Sequence, residues 1–185
     1  MLKLTVKSPA RLPDGMTSRK LSLAAAEGVQ VSVVRHLRRR NSSASRRSGF
    51  TQSGYWLDAA ASTTTAPAGD SAEVIIEKEG IALHYYGGTV HPVKGKALAI
   101  PIDPSVAGKN PRELNGLADS LALIWPKNSS HGFLKGKDTS NLLYLLVDST
   151  RHKADRSVLP EDGEMAAEAE SAMANAIMAM EDAGK

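Results

Sequence analysis

One apolar stripe in the first quarter of the chain constrains the fold more than any other feature. Between residues 17 and 40, apolar side chains recur every four positions, a spacing that places them on one face of an α-helix: Leu21, Ala25, Val29, Val33 and Leu37. Thr17 or Ser18 can cap the start of this helix. Gly28 is a weak point inside it, since glycine costs about 1 kcal/mol relative to alanine there. The pattern predicts a long helix with one face buried.

The end of the chain predicts a second long helix, over residues 161–182. Pro160 precedes it, and acidic residues occupy its first turn, where negative charge is favourable. One face is rich in alanine and adaptable methionine: Met165, Ala169, Ala172, Met173, Ala176 and Met180. The three methionines and Ala169 are candidates for an interface. The helix is interpreted as a packing or interface appendage, and its periodicity leaves open whether it packs on its own subunit or on a neighbour.

Short apolar runs elsewhere predict strands joined by hairpins. They cover residues 2–7, 72–79, 97–102, 117–125, 131–135 and 142–147, while 81–86 fits either a short helix or a strand. Segments 41–54 and 62–71 are rich in Ser, Thr, Arg and Gly and are predicted to be loops. The expected fold class is α+β. It has a mainly antiparallel sheet flanked by the two helices, in a single domain over 1–185 with an extended loop region at 41–71.

Composition removes several classes of function. The chain has no cysteine, which excludes disulfides, thiolate metal ligands and cysteine nucleophiles. No run approaches the roughly 18 apolar residues of a membrane span, and the N-terminus lacks the features of a signal peptide. We therefore expect a chain without membrane contact, made in the cytoplasm.

Catalytic and metal-binding patterns are also missing from the sequence. The five histidines do not have the spacing of metal ligands, and no serine lies in a G-x-S-x-G elbow. Gly132–Lys137 and Gly95-Lys96 lack the form of a phosphate-binding loop. We expect no catalytic site, no metal and no cofactor, and thus a protein that is not an enzyme.

Charge is distributed unevenly along the chain. Residues 1–56 hold eleven Lys and Arg against two Asp and Glu, whereas residues 151–185 hold four against eight. A basic cluster stands out: Arg35, Arg38, Arg39, Arg40, Arg46 and Arg47. It can face DNA, or it can meet an acidic surface of a neighbouring subunit. The arginines have no aromatic residues interleaved among them, which disfavours the first reading.

A resemblance begins at residues 80–102, GIALHYYGGTVHPVKGKALAIPI. An apolar segment with a histidine leads into Gly87-Gly88-Thr89, a basic stretch follows, and Leu98, Ile100 and Pro101 close the segment. Upstream, the basic helix end is followed by Tyr55 and Trp56, and Leu159-Pro160 precedes the acidic last helix. This ordered set resembles the phage virion morphogenesis family, the Mu-like tail completion and head–tail joining proteins. The Ser/Arg-rich stretch 42–48 departs from the family pattern.

The resemblance implies a structural virion protein that joins or completes the tail at the head–tail neck of a tailed bacteriophage. It implies a homo-oligomeric, hexameric ring acting as a connector, assembled in the host cytoplasm and located in the virion. Other neck and tail proteins would be partners (adaptor or stopper, tail terminator or tail tube), with genomic DNA passing nearby. The basic N-terminal third of one subunit would then meet the acidic C-terminal part of the next. The alternative is a basic nucleic-acid-binding module that uses the cluster from Arg35 to Arg47.

Overall fold

Helix α1, Ser18–Ser43, is the element around which one part of the molecule is built. The computed structural model describes residues 1–7, 17–43, 50, 53–93, 95–112, 121–137 and 140–183. Contacts divide the chain into two compact units, where the sequence was interpreted as a single domain. Unit 1 comprises the described parts of 1–44, 54–87 and 154–185, and unit 2 those of 45–53 and 88–153.

The described residues form helices and antiparallel strands, as an α+β fold requires. After α1, the helices are α2 (Tyr55–Ala61), α3 (Ile81–Tyr86) and α4 (Asp162–Ala183). The strands are β1 (Leu2–Lys7), β2 (Thr63–Ala68), β3 (Ser71–Ile76), β4 (Gly88–Val90), β5 (Leu98–Pro101), β6 (Leu121–Ile124), β7 (His131–Gly136), β8 (Leu142–Val147) and β9 (Thr150–His152). Single 3-10 turns lie at Pro104–Val106 and Arg156–Val158. The α+β class and both long helices are confirmed.

The core of unit 1 forms where the α1 stripe meets a three-stranded sheet. All five stripe residues from Leu21 to Leu37 are buried, as the period of four predicts. The sheet has the order β1-β3-β2, and its apolar face packs on α1. Tyr55 and Trp56 pack against this core from α2, whereas Leu57 is 47% exposed.

The predicted loop at 62–71 is wrong, because most of it is strand β2. Residues 63–68 pair with β3 through a two-residue turn at Gly69-Asp70, and Gly69 has a φ of 65°. Threonine is a good strand former despite its polarity. Pro67 is tolerated since β2 lies at the edge of the sheet, where no donor is needed on the outer side. The extended loop region over 41–71 is also interrupted by α2, and α1 continues to Ser43.

Helix α4 packs on α1 of the same chain, which answers the question that its periodicity left open. Ala169 is buried, and Met165 and Met173 pack against the core. The helices come very close at Gly28. A Cβ atom there would lie 2.3 Å from the carbonyl oxygen of Glu168 and 2.9 Å from Cβ of Ala172. Gly28, predicted as a weak point, is therefore the position that allows the two helices to approach.

Unit 2 contains two further sheets, so the strands belong to three sheets instead of the single one expected. β4 pairs with β9, and the larger sheet has the order β5-β8-β7-β6. Pro101 ends β5, an edge strand, as predicted. The small core of unit 2 lies on one face of this sheet and is centred on Val106, Leu143 and Tyr144. Residues 117–120 of a predicted strand lie outside the described residues.

The opposite face of the four-stranded sheet is mostly apolar, and none of its described side chains is buried. By the antiparallel register, one face is shared by apolar side chains of all four strands, with His131 and Lys135 among them: Leu98, Ile100, Ala122, Ile124, Phe133, Leu142, Leu145 and Val147. None of them is buried, and Ile124 is 37% exposed. We call this set the open sheet face. The described residues of unit 2 thus form a core on one side of this sheet only.

We predict that replacing Gly28 with alanine destabilises the protein by about 1–3 kcal/mol, the usual cost of overpacking. The new methyl group would have to displace the backbone of α4 at Glu168. Helix propensity alone predicts the opposite sign, a gain of about 1 kcal/mol. Urea denaturation followed by circular dichroism measures the difference.

Gly163→Ala is the matched control, because Gly163 also lies in a helix but a Cβ atom there would meet nothing within 4 Å. It should leave the free energy of unfolding unchanged or raise it. If Gly28→Ala were as stable as Gly163→Ala, the close approach of α1 and α4 would be contradicted.

Candidate functional site

An arginine–aromatic cluster joins the end of α1 to three other elements of unit 1. Arg40 lies with its guanidinium 4.5 Å from the ring centroid of Trp56. The same group forms an ion pair with Asp155 and donates hydrogen bonds to the carbonyl and hydroxyl oxygens of Ser157, at 3.0 and 2.9 Å. Its side chain is only 24% exposed. Arg40 therefore links α1 to α2 and to the 3-10 turn Arg156–Val158.

Three rings form the second part of this cluster. His84 of α3 lies 5.1 Å from the ring of Tyr55 and 5.2 Å from that of Trp56, and these two rings meet edge to face at 5.0 Å. Tyr55 donates its hydroxyl proton to the carbonyl of Glu79. Burial, with a further contribution from the charge of Glu79, raises the pKa of Tyr55. The hydroxyl is thus held as a donor.

Asp155 fixes the turn that receives Arg40. One carboxylate oxygen accepts hydrogen bonds from the backbone N–H and the hydroxyl of Ser157, at 3.0 and 2.6 Å, and the other accepts from Arg40. The hydroxyl of Ser157 is the main cause that lowers the pKa of Asp155, and Arg40 adds to it. The backbone N–H of Asp155 also donates to the carbonyl of His84. The turn is therefore tied to both halves of the cluster.

A second arginine stacks on tyrosines beside this cluster. Arg156 lies 4.4 Å from the ring centroid of Tyr85 and 5.4 Å from that of Tyr86. It makes no ion pair with any described residue. A groove of about 900 Å³ runs along this surface, with Arg39 and Arg40 on one side and Glu161 and Asp162 on another. The groove presents both signs of charge.

The predicted basic cluster is largely paired within its own chain. Arg35 binds Glu168 and Arg39 binds Glu164, each at 2.8 Å, so both pair with α4. Arg38 is exposed and forms no ion pair with the described residues. Arg46 and Arg47 lie outside the described residues. Acidic residues of α4, which were expected to contact the basic cluster of a neighbouring subunit, thus pair with arginines of the same chain.

Aromatic rings contact two arginines in three dimensions, although none is interleaved with the basic cluster in the sequence. Trp56 lies against Arg40, and Tyr85 against Arg156. Sequence reasoning missed Asp155, Arg156 and Ser157 because their partners are distant in the chain. One local signal existed, since Asp-x-Ser is a pattern in which the carboxylate accepts from the backbone two residues on.

The Gly-Gly-Thr segment lies where the chain passes from unit 1 to unit 2. Gly87 ends α3 with φ 73° and ψ −177°, a backbone conformation that is essentially restricted to glycine. Gly88 and Thr89 belong to β4, and Gly88 pairs with His152 of β9. Gly87 thus ends α3, and Gly88 already begins strand β4.

The other residues that carry the resemblance are divided between the two units. Tyr55 and Trp56 contact His84 in unit 1, which brings two separate segments of the resemblance together. Leu98 and Ile100 lie on the open sheet face of unit 2, and Pro101 points to the other face, opposite Tyr144. The basic residue Lys94 between these segments lies outside the described residues.

Two further properties concern the described part of the chain only. It contains no group of three His, Asp or Glu side chains arranged to hold a metal ion. No helix within it has the length and apolarity needed to span a bilayer. Comparison with family models, with curated proteins and with solved structures finds no match to this chain.

We predict that Arg40→Ala lowers the free energy of unfolding by about 1.5–3 kcal/mol, the range for hydrogen bonds to charged groups. The change removes the contacts with Asp155, Ser157 and Trp56 together. Arg38→Ala, two residues away and exposed, should change it by less than about 0.5 kcal/mol. Chemical denaturation compares them, and equal losses would exclude a special role for Arg40.

A pH-dependent prediction follows from the lowered pKa of Asp155. The carboxylate adds stability at pH values above its unfolded pKa, near about 3.9. This contribution is lost as the pH falls through the lower folded pKa. The stability difference between wild type and Asp155→Asn should therefore be largest near neutral pH and shrink in acid.

Urea unfolding at about pH 6 and about pH 2.5, on either side of the reference value, measures this change. Asp70→Asn is the control, because Asp70 lies in the exposed β2–β3 turn and forms no ion pair with described residues. A wild-type-minus-variant difference for Asp155 that does not vary with pH would contradict the assignment.

Proposed function

We propose that this chain is a structural subunit of a tailed-phage virion, which joins or completes the tail at the head–tail neck as a ring-forming protein. The observation that carries the proposal is the open sheet face of unit 2. Its apolar side chains come from all four strands, and none of them is buried. Ile124 is exposed and most of the other members are half-buried, and a contiguous apolar surface that stays accessible to water is typical of contacts between proteins.

The sequence of β8 supports the same interpretation. Its six residues, LLYLLV, form an uninterrupted apolar run, which is typical of a strand that is covered on both faces. Among the described residues, the buried side chains of this sheet lie on the face with Tyr144, while Leu145 and Val147 point to the open sheet face. A neighbouring copy in a ring would supply the missing cover.

The resemblance adds specificity to this general reading. Leu98 and Ile100, which belong to the family signature, lie on the open sheet face. The signature thus contributes directly to the surface that the proposal assigns to the ring contact. The earlier assignment of the ring contact to the basic and acidic ends of the chain loses support, since Arg35, Arg39 and Arg40 are paired within the subunit.

The test is ring formation by the purified chain, observed by negative-stain electron microscopy and analytical ultracentrifugation. We expect wild type to assemble, and a variant with Ile124→Lys and Leu142→Lys to stay folded but unassembled. These side chains are 37% and 40% exposed, so lysine can replace them without entering a core. Val31→Lys, at a site 51% exposed on α1, is the control and should assemble normally.

In the phage whose genome carries the gene, loss of the protein should leave separate heads and tails in the lysate. Complementation with the double lysine variant should fail, while the Val31→Lys variant should restore joined particles. Normal assembly by the double variant would remove the open sheet face as the ring contact. Joined particles without the protein would overturn the function itself. Salt-sensitive binding of free DNA that is lost when Arg38 is replaced would instead favour the nucleic-acid-binding module.

A further inference from the structure

Strand β1 is an edge of the sheet in unit 1. The sheet order is β1-β3-β2, and no described strand pairs with the outer side of β1. Along such an edge every second residue directs its backbone N–H and C=O groups away from the sheet. These groups form a ready template for one more strand.

An apolar groove lies directly beside this edge. It has a volume of about 330 Å³ and is lined by β1, by α4 and by Val29 of α1. Val29 and Ala169 are buried in its floor, and Leu4, Val6 and Met165 are half-buried along it. Ala166, a small exposed residue of α4, lines it as well. The groove therefore offers apolar surface next to unpaired backbone.

We infer that this groove receives an extended segment of another protein, which adds a fourth strand to the sheet next to β1. The unpaired backbone of β1 selects an extended occupant over a helix, because only an extended chain can satisfy its alternating donors and acceptors. The side chains of a strand point alternately to the two faces of a sheet. Every second side chain of the segment then enters the groove and is apolar.

Charge on β1 determines the other side chains of the segment. Lys3, Thr5 and Lys7 point away from the core, on the solvent face of the sheet. Lys3 already donates to Glu73 on β3, whereas Lys7 forms no ion pair with the described residues. Opposite charges on neighbouring strands attract, so the outward side chains of the segment are acidic. The occupant is a strand with alternating apolar and acidic residues.

The larger groove beside Arg156 does not contribute to the preference for acidic side chains. It shares Leu4 and Met165 with the smaller groove but is lined by acidic as well as basic side chains. The preference for acidic residues therefore arises along β1. This inference goes beyond the proposed virion function, because it concerns unit 1 and a partner other than a ring neighbour, and it can fail while ring formation holds.

The test uses a defined probe, the peptide acetyl-Glu-Val-Glu-Leu-Glu-Val-Glu-amide, titrated into the ¹⁵N-labelled full chain. We expect saturable shifts of backbone amide signals along β1, and protection of those amides from hydrogen exchange. The lysine counterpart, with each Glu replaced by Lys, should bind more weakly. A peptide with the same composition in the order Glu-Glu-Glu-Val-Leu-Val-Glu should also bind more weakly, because its apolar residues do not alternate.

Variants in the groove distinguish binding at this site from non-specific binding. Ala166→Trp fills the groove and should weaken binding at least about tenfold, because a large side chain excludes the incoming strand. Ala167→Trp, the next residue of α4, is exposed and does not line the groove, so it should bind as wild type does. Both positions are solvent-accessible, so the tryptophans should leave the fold intact, which circular dichroism verifies.

A charge exchange tests the chemistry of the occupant. Lys7→Glu should weaken the acidic peptide about two- to fivefold and strengthen the lysine peptide by a similar factor, the size expected for an exposed pair. Lys20→Glu, an exposed change of the same charge on α1, should do neither.

Several results would overturn the inference. They are the absence of saturable binding by the acidic peptide, equal binding of the non-alternating peptide, and insensitivity to Ala166→Trp. Self-association of the chain that Ala166→Trp abolishes would also overturn it, by showing that the occupant is a second copy. Each of these outcomes leaves the ring contact at Ile124 and Leu142 to be judged by its own variants.

Discussion

The packing of α1 is the constraint on which the rest of unit 1 depends. One face of this helix packs on the three-stranded sheet and another packs on α2. Helix α4 packs against it at Gly28, where the absence of a side chain allows a close approach. Because the helix is held on these sides, the arginines near its C-terminal end have defined positions. Arg40 is thereby positioned to contact Asp155, Ser157 and Trp56. The cluster that joins α2, α3 and the Arg156–Val158 turn therefore depends on the packing of α1.

The uneven charge along the sequence acquires a different meaning once α1 and α4 are paired. Arg35 binds Glu168 and Arg39 binds Glu164, so the order of partners reverses and the two helices run antiparallel. Exposed pairs of this kind each contribute little, about 0–1 kcal/mol. Their main effect is to favour one register and one direction for α4 on α1. Part of the basic charge in the first half of the chain thus pairs with acidic residues of the last helix, across 133 and 125 positions of sequence.

How much was predictable from the sequence depended on the range of each interaction. The stripe from Leu21 to Leu37 was sufficient to place α1, because a helix expresses its period within a few turns. Strand β2 was missed since Thr63–Ala68 is polar and contains Pro67, and only its place at an edge permits that sequence. The cluster around Arg40 was invisible because Asp155 lies 115 positions away. The division into two units was equally hidden, since both units contain segments from distant parts of the chain.

The open sheet face gives a physical reason for the resemblance, which Gly87 and Gly88 alone do not give. Gly87 and Gly88 explain how the chain leaves α3, because their backbone angles suit glycine, but a turn of this kind occurs in many folds. Leu98 and Ile100 are different, since they are apolar residues of an edge strand that remain unburied within the chain. Together with Phe133, Leu145 and Val147 they leave apolar area accessible to water, and covering that area with another surface would add stability. A subunit of an assembly gains the contact that holds its neighbour. The signature therefore supports the proposed ring through the two side chains, Leu98 and Ile100, that it places on this face.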